Sequence, residues 1–393
     1  MKCIALFICI VLFGLTLSGC ILNDQSDKPI IEEPLIFDIS GRVYHLVGDI
    51  EISLNNESFI SLTNFLPIDF IFEGGLESGE TYSVVITKQP ESQWCKVKNG
   101  NGLIETEDIK NIYVVCHTFF RGLKGVSEVS TGRYHTCAIV DNNVVCWGSN
   151  RDGQTDVPAN LVNPRKISSG GTHTCVLDDT GVVCWGKTGD TGITKVAPPE
   201  GLVNVRELNS GYFSSCVIDD SGLQCFGNEE ISNLTSYPKN LEDPHGLTVK
   251  GSNACVIDGK KPLCWGYNSG AYTLPDDLFE VDSIDIGQTS GCALTTGEVT
   301  CWDDSGKSSS EITGEVDLSG SSTLALNFID GCVVTDIGLK CWGPDLYGVH
   351  GLQHIVKFPS QLSFNYIHGC VIENEELICA GDNYFGQIAI PNK

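Results

Sequence analysis

Fourteen cysteines in the last two-thirds of the chain form seven pairs of one internal spacing: Cys137/Cys146, Cys175/Cys184, Cys216/Cys225, Cys255/Cys264, Cys292/Cys301, Cys332/Cys341 and Cys370/Cys379. Eight residues separate the partners each time, and successive pairs begin 37 to 41 residues apart. One small unit is therefore used seven times and stapled the same way each time. Between its cysteines each unit reads as a tight hairpin. In Cys175-Val-Leu-Asp-Asp-Thr-Gly-Val-Val-Cys184 the bend falls at Asp178 to Gly181. An even number of intervening residues sets the two cysteines opposite each other across antiparallel strands, within bridging distance. Metal ligation is the rival reading, and the lack of a further Cys or a recurring His pair nearby argues against it.

Seven units of about 40 residues, each a set of short strands, predict an all-β chain with a seven-bladed β-propeller. Five residues before the first cysteine stand Gly132, Gly170, Gly211, Gly287, Asn327 and Asn365, with Gly251 one place later in the fourth unit. Two residues after the second cysteine stand Gly148, Gly186, Gly227, Gly266, Asp303, Gly343 and Gly381. The first position is expected to need a left-handed backbone, and the second to mark a turn that ends a strand. The residue after the second cysteine is Trp147, Trp185, Phe226, Trp265, Trp302, Trp342 or Ala380. Strand alternation turns it away from the cysteine face, so it is expected to pack one blade on the next.

The unit G-x-x-x-x-C-[AV]-[IL]-x-D-x-G-x-V-x-C-W-G, followed by Gly153-Gln154 and Gly386-Gln387, resembles the regulator of chromosome condensation repeat family. It is similar above all to exported bacterial members with cysteines in the hairpin. The likeness spans nearly all of residues 126 to 391 and is strongest in units one, two and seven. Units three to six depart from it, with Phe226 for Trp, Asp303 for Gly, and no Gly-Gln step.

The chain opens with Lys2, an apolar run from Ile4 to Leu17, and Leu17-Ser18-Gly19-Cys20. This resembles the signal and lipobox of bacterial lipoproteins. The resemblance implies removal of residues 1–19, acylation of Cys20 and anchoring to a membrane by more than one chain. Ile21 in place of Asp implies, by the same analogy, the outer membrane of the cell envelope. Residues 20–34 then form an acylated cysteine and flexible tether. Setting aside Cys3, Cys9 and Cys20 leaves sixteen cysteines, an even number suited to an oxidising compartment.

Residues 35–118 carry six or seven short β runs and predict a small antiparallel β-sandwich, with the propeller at 119–393. Gly79-Glu80-Thr81-Tyr82-Ser83-Val84-Val85, Gln89-Pro90, Cys95, Asn99-Gly100 and Cys116 resemble a bacterial Ig-like surface repeat. The resemblance implies a Cys95–Cys116 disulfide and a spacer role.

Fifty acidic residues stand against 24 basic ones. That balance disfavours nucleic acid and anionic membrane surfaces as partners. No G-x-S-x-G, H-E-x-x-H, Walker or dinucleotide fingerprint occurs. The Asp-rich bends at Asp141, Asp178/Asp179 and Asp219/Asp220 lack calcium-loop spacing and read as turn chemistry. His135, His173 and His368 occupy equivalent places in adjacent blades, where the resemblance implies a structural role.

The expectation is a lipid-anchored, non-enzymatic envelope protein without cofactor or metal, presenting loops to a protein or glycan ligand. Candidate loops are Lys187–Glu200, Asn228–Gly246, Tyr267–Phe279 and Pro344–Phe358, with Tyr237, Tyr267, Tyr272 and Tyr347. Two other readings stay open. One is inhibition of an envelope hydrolase, since the repeat family includes a secreted cap of β-lactamase. The other is a metal-dependent enzyme at the His368/His135/His173 corner.

Overall fold

The computed structural model describes residues 35–63, 67–187, 197–228, 234, 236–266, 273–287, 290–303, 306–308, 316–328 and 330–391. These are strands, turns and loops, apart from a 3-10 turn (Val349–Gly351) and one short helix, α1 (Leu352–Ile355). The export signal and Cys20 lie outside the described residues.

Residues 35 to 118 build two sheets around one core. Eight strands carry them: β1 (Ile36–Tyr44), β2 (Asp49–Leu54), β3 (Ser58–Thr63), β4 (Ile68–Glu77), β5 (Thr81–Lys88), β6 (Gln93–Lys98), β7 (Asn101–Leu103) and β8 (Ile109–Lys124). One sheet runs β4-β1-β8 with β6 on the far side of β8; the other runs β3-β2-β5-β7. Inward positions alternate along each strand, so Ile39, Val43, Phe72, Ile112 and Val114 meet Ile50, Ile52 and Val84. Cys95 and Cys116 are bonded and lie opposite each other on β6 and β8. The sheets are not wholly antiparallel. β1 pairs parallel to β8, with Tyr44 beside Val115. Six strands separate the two in sequence, so no tight hairpin constrains their direction.

β8 does not stop where the first unit ends. Its sixteen residues continue past the expected boundary at 118/119 and pair with the last strand of the chain, Phe119 opposite Ala380 and Lys124 opposite Glu376. No linker separates the two units at this point.

The repeats follow as separate three-stranded meanders. They are β9–β11 (Val126–Thr131, His135–Val140, Asn143–Gly148), β12–β14 (Lys166–Ser169, His173–Asp178, Gly181–Gly186) and β15–β17 (Glu207–Ser210, Ser214–Asp219, Gly222–Gly227). Then come β18–β20 (Pro244–Lys250, Asn253–Asp258, Lys261–Gly266) and β21–β23 (Ser283–Ile286, Ser290–Thr295, Glu298–Asp303). The last are β24–β26 (Thr323–Leu326, Gly331–Thr335, Gly338–Trp342) and β27–β29 (Gln361–Asn365, His368–Glu373, Glu376–Gly381). β8 adds a fourth strand to the final sheet. First strands lie side by side in sequence order, and β27 returns to lie against β9. The arrangement is that of a propeller.

Each hairpin sets its two cysteines directly opposite each other and bonds them. Cys137 pairs with Cys146, Cys175 with Cys184, Cys216 with Cys225 and Cys255 with Cys264. Cys292 pairs with Cys301, Cys332 with Cys341 and Cys370 with Cys379. Their Cα atoms are 4.0 to 4.1 Å apart, the narrow kind of antiparallel pair.

The following aromatic residue packs on the disulfide of the preceding sheet. Trp185 shares a core with Cys137 and Cys146, Phe226 with Cys175 and Cys184, and Trp147 with Cys370 and Cys379. The middle units repeat the contact despite their divergent sequences. Trp265 meets Cys216 and Cys225, Trp302 meets Cys255 and Cys264, and Trp342 meets Cys292 and Cys301. Each bridge therefore does two things: it clips its own hairpin and gives the next sheet an apolar floor.

Ala380 breaks this rule and leaves too little volume between the last two sheets. Val349, Leu352 and Val356 fill the gap, packing with Cys332, Cys341 and Ala380. The stretch Pro344–Phe358, expected to be a ligand-facing loop, is thus largely structural. Its outer side carries His354, which stacks on Trp94 at 3.8 Å and ties the first unit to the propeller.

The two glycine positions have different causes. Gly148, Gly186, Gly227, Gly266, Gly343 and Gly381 end their strands with positive φ. Gly132, Gly170, Gly211 and Gly287 do not, and the expectation fails there. What excludes a side chain is space: a Cβ on Gly132 would lie 2.5 Å from the Gly170 carbonyl oxygen of the next sheet.

Candidate functional site

The residues singled out from the sequence divide into structural groups. The hairpin cysteines form one of them. Cys225, Cys264 and Cys301, like their counterparts in the other units, are joined to their partners and packed under an aromatic ring. They carry no reactive thiol and serve the fold.

The histidines form another. His135 Nε2 lies 2.9 Å from Thr174 Oγ1, His173 Nε2 2.8 Å from Ser215 Oγ, and His368 Nε2 2.9 Å from Thr136 Oγ1. Every ring therefore reaches a hydroxyl of the next sheet. The Thr174 hydroxyl donates to the Gln154 carbonyl and Thr136 to that of Gln387. Their protons being used, His135 and His368 must donate from Nε2, which leaves Nδ1 bare. Burial pushes His135 down to about 3, His173 to about 4 and His368 to about 3, so all three are neutral. Among the described residues no group of three or more His, Cys, Asp or Glu could hold a metal ion.

The Asp bends close the hairpins. Asp178 accepts from Val162 N and from the Thr180 amide and hydroxyl; Asp219 repeats this with Val203 and Ser221. Burial alone would raise both carboxyls, but these bonds outweigh it and hold them below the usual range. The Gly-Gln step also has a clear task. Trp185 Nε1 donates to the Gln154 carbonyl, and in unit four Trp265 donates instead to Leu234. A backbone carbonyl suffices, which is why the glutamine can vary. Of the four expected ligand loops, residues 188–196, 229–233, 235 and 267–272 lie outside the described residues, Tyr267 and Tyr272 among them. Tyr237 is half-buried beside Lys239.

The turns after the first strands converge at one end of the channel that those strands enclose. Backbone bonds run from sheet to sheet around this mouth: Arg133 N to Gly170 O, Gly171 N to Gly211 O, and Tyr212 N to Gly251 O. Such close approach is what requires the glycines. Among the described residues, those that follow these glycines and asparagines face one cavity, and there the sequence varies: Arg133, Gly171, Tyr212, Ser252, Phe328 and Tyr366. The cavity measures about 290 Å³.

Arg133 organises the mouth. Its guanidinium carbon lies 4.4 Å from the centre of the Tyr212 ring, 4.5 Å from Tyr366 and 4.8 Å from Tyr134. Three such contacts position the group more firmly than a single surface ion pair would. From there the rings run outward without a break: Phe328 on Tyr366, Tyr366 on Tyr134, Tyr134 on Phe385 and Phe385 on Tyr384. The outermost are open to solvent, Tyr384 at 82% and Phe385 at 43%. An exposed chain of rings ending at a held cation has the chemistry to contact apolar, aromatic or anionic groups.

Beneath the mouth the channel is polar, with about 580 Å³ between the first strands. Lys250 lies 2.5 Å from Asp285 and also donates to the Leu326 carbonyl, linking three sheets. Burial raises Glu128 to about 7, against the opposing pull of Lys166 and a bond from Ile167 N. Sequence reasoning missed this whole end of the molecule. Its signal was variation beside the recurring Gly or Asn before each hairpin, legible once the units were aligned on their cysteines.

Residues 126–154 match the family model for the Regulator of chromosome condensation (RCC1) repeat. No curated protein matches the chain. Among solved structures it is similar to human WBSCR16, with a TM-score of 0.51 at 15% identity, covering 71% of this chain and 92% of that one. The CRINKLY WD40 ectodomain of the Arabidopsis thaliana receptor kinase ACR4 gives 0.50 at 18% identity, over 67% and 99% of the two chains. The ectodomain of the Physcomitrella patens receptor kinase CR4 gives 0.50 at 21%, over 64% and 70%. At these identities the likeness establishes the fold alone.

Proposed function

We propose that the chain is a lipid-anchored, non-enzymatic binding protein of the bacterial envelope, with a seven-bladed propeller carried on an Ig-like spacer. The observation that carries this reading is the ring-lined mouth, where Tyr384 and Phe385 stay exposed at the end of an aromatic chain leading to Arg133. The lipobox ending in Cys20 and the eight disulfides support an envelope location. The seven hairpin sheets and the return of β27 to β9 support a closed seven-bladed ring. The buried histidines are committed to hydroxyls of neighbouring sheets, so the corner they form is read as structural.

On this reading the mouth is the end of the propeller that meets the ligand, and register relates it to the spacer. β8 enters at Phe119 beside Ala380, the same end at which the turns of the mouth lie, so the spacer stands beside the recognition face. The ligand on this reading is a glycan or a protein of the envelope.

The test uses the full mature protein in detergent micelles, wild type and Tyr384→Ala/Phe385→Ala. Both are measured for retention on immobilised cell-wall glycan and on separated envelope proteins from the producing cell. The wild type is retained on one of them and the double variant is not. Equal retention of both would overturn the site; retention on a purified envelope hydrolase with loss of its activity would instead select inhibition.

A further inference from the structure

We infer that the mouth cavity binds a carboxylated sugar, the carboxylate on Arg133 and the sugar ring over the neighbouring tyrosine and phenylalanine side chains. The inference rests on the recognition reading above and names the class of its ligand. Its first ground is charge. The chain carries a formal net charge of −26, yet no carboxylate lines this cavity among the described residues. Lys250, the other cation at the mouth, is already paired with Asp285. Arg133 is paired with no carboxylate among the described residues; of its side-chain N–H groups, Nη2 donates to the Tyr366 hydroxyl at 3.3 Å, and Nε is buried without an acceptor. A guanidinium presents five donors in a planar fork that matches a carboxylate in two-point contact. Solvent-exposed acidic groups farther off than about 8 Å weaken this attraction little at physiological salt.

The second ground is the size and lining of the space. About 290 Å³ admits one six-membered ring with its substituents, and not a folded peptide. Phe328 and Tyr212 line the space with aromatic residues, and Ser252, Asn253 and Asn365 line it with polar ones, the Asn365 amide already donating to the Thr131 carbonyl. A mixed lining of this kind suits a polyhydroxylated ring better than a purely apolar acid. Three ring contacts hold the guanidinium in place before any ligand arrives, which reduces the cost of ordering it on binding. The same acid could arrive as a free monosaccharide or as the end of a glycan chain.

The test is calorimetric titration of the full mature protein with D-glucuronate, D-glucose and acetate, and with oligosaccharides bearing glucuronate at the non-reducing end or internally. D-glucuronate is expected to bind at least tenfold more tightly than glucose or acetate, and Arg133→Gln to remove that preference. Phe328→Ala weakens glucuronate and glucose alike. Unchanged thermal midpoints show that the variants are folded; should Arg133→Gln unfold, Arg133→Lys keeps the charge, loses the fork, and is expected to lose at least fivefold. Tighter binding of the end-linked oligosaccharide identifies a glycan terminus, and equal binding identifies the free sugar. Glucuronate binding that ignores Arg133→Gln, or no binding of any acidic probe, overturns the inference. Retention on envelope material that persists in that case, and still depends on Tyr384 and Phe385, leaves the recognition reading standing; loss of both removes the two together.

Discussion

Trp147 Nε1 donates a hydrogen bond of 3.0 Å to the backbone carbonyl of Gln387, 240 residues further along the chain. The indole belongs to the first repeat and the carbonyl to the segment after the last strand. The same ring packs on the Cys370–Cys379 disulfide. One side chain thus supplies both the polar and the apolar part of the seam between the first and last sheets.

Trp147→Ala is expected to cost about 3–5 kcal/mol, the range for emptying a buried aromatic site. Trp147→Phe keeps most of the packing and loses the bond, for about 1 kcal/mol. Urea unfolding followed by far-ultraviolet dichroism measures both. Equal losses would mean that the seam depends on the hydrogen bond rather than on volume.

Gly132→Ala and Gly181→Ala separate crowding from backbone strain. Gly181 has φ +119 and nothing near its would-be Cβ, so the substitution costs about 1–2 kcal/mol from strain alone. At Gly132 the new methyl would sit 2.4 Å from His135 Cε1 as well as against the Gly170 carbonyl. The sheets there must part, and a loss above about 3 kcal/mol is expected. Thermal midpoints of the two variants rank them.

Acid should loosen the propeller before it protonates the carboxylates. His135, His173 and His368 have folded values depressed to about 3, 4 and 3 from 6.5. The unfolded chain takes up their protons first, so their contribution is intact above about pH 6.5 and is lost as pH falls toward 4. Each ring gives a slope of up to about 1.4 kcal/mol per pH unit in that window. Glu128 acts in the opposite sense: its raised value of about 7 gives a contribution present at pH 4.5 and lost as pH rises through 7. His135→Gln is expected to flatten the fall of the thermal midpoint between pH 6.5 and 4. An unchanged slope would show that the ring titrates in the folded protein.

Leu352→Ala is expected to cost about 2–5 kcal/mol although the residue lies in a helix of four residues. Its side chain stands where the repeat pattern would place a tryptophan. Amide hydrogen exchange should quicken in β26 and β29 together, and in β6 through Trp94 and His354. Faster exchange confined to the helix itself would reduce the segment to a surface loop.

The repeating parts were legible because spacing fixes them. An even count between cysteines dictates their pairing, and the tryptophan that follows must turn to the other face. This held even at Cys225, Cys264 and Cys301, where the surrounding residues depart from the repeat pattern but the count does not. The glycine before each hairpin was read as a conformational requirement, since one chain shows positive φ as a local property and shows nothing of the carbonyl that approaches from the next sheet. Ala380 gave the same difficulty: its missing volume is supplied by Leu352, and only the assembled sheets bring the two together. Arg133 and Tyr366 were overlooked for the opposite reason. They sit beside the recurring Gly or Asn that precedes the hairpin, and their variation reads as noise until the ring sets them around one axis.

β8 has a mechanical consequence. A pull on the amino end of the chain enters β1 at Ile36, while β29 grips the far end of β8. The ladder joining β1 and β8 lies across that line of force, so its bonds are loaded together in shear rather than peeled one at a time. Cys95–Cys116 clamps the same strand near its middle. Loaded along that line, the two strands would part only when the bonds of their ladder failed together.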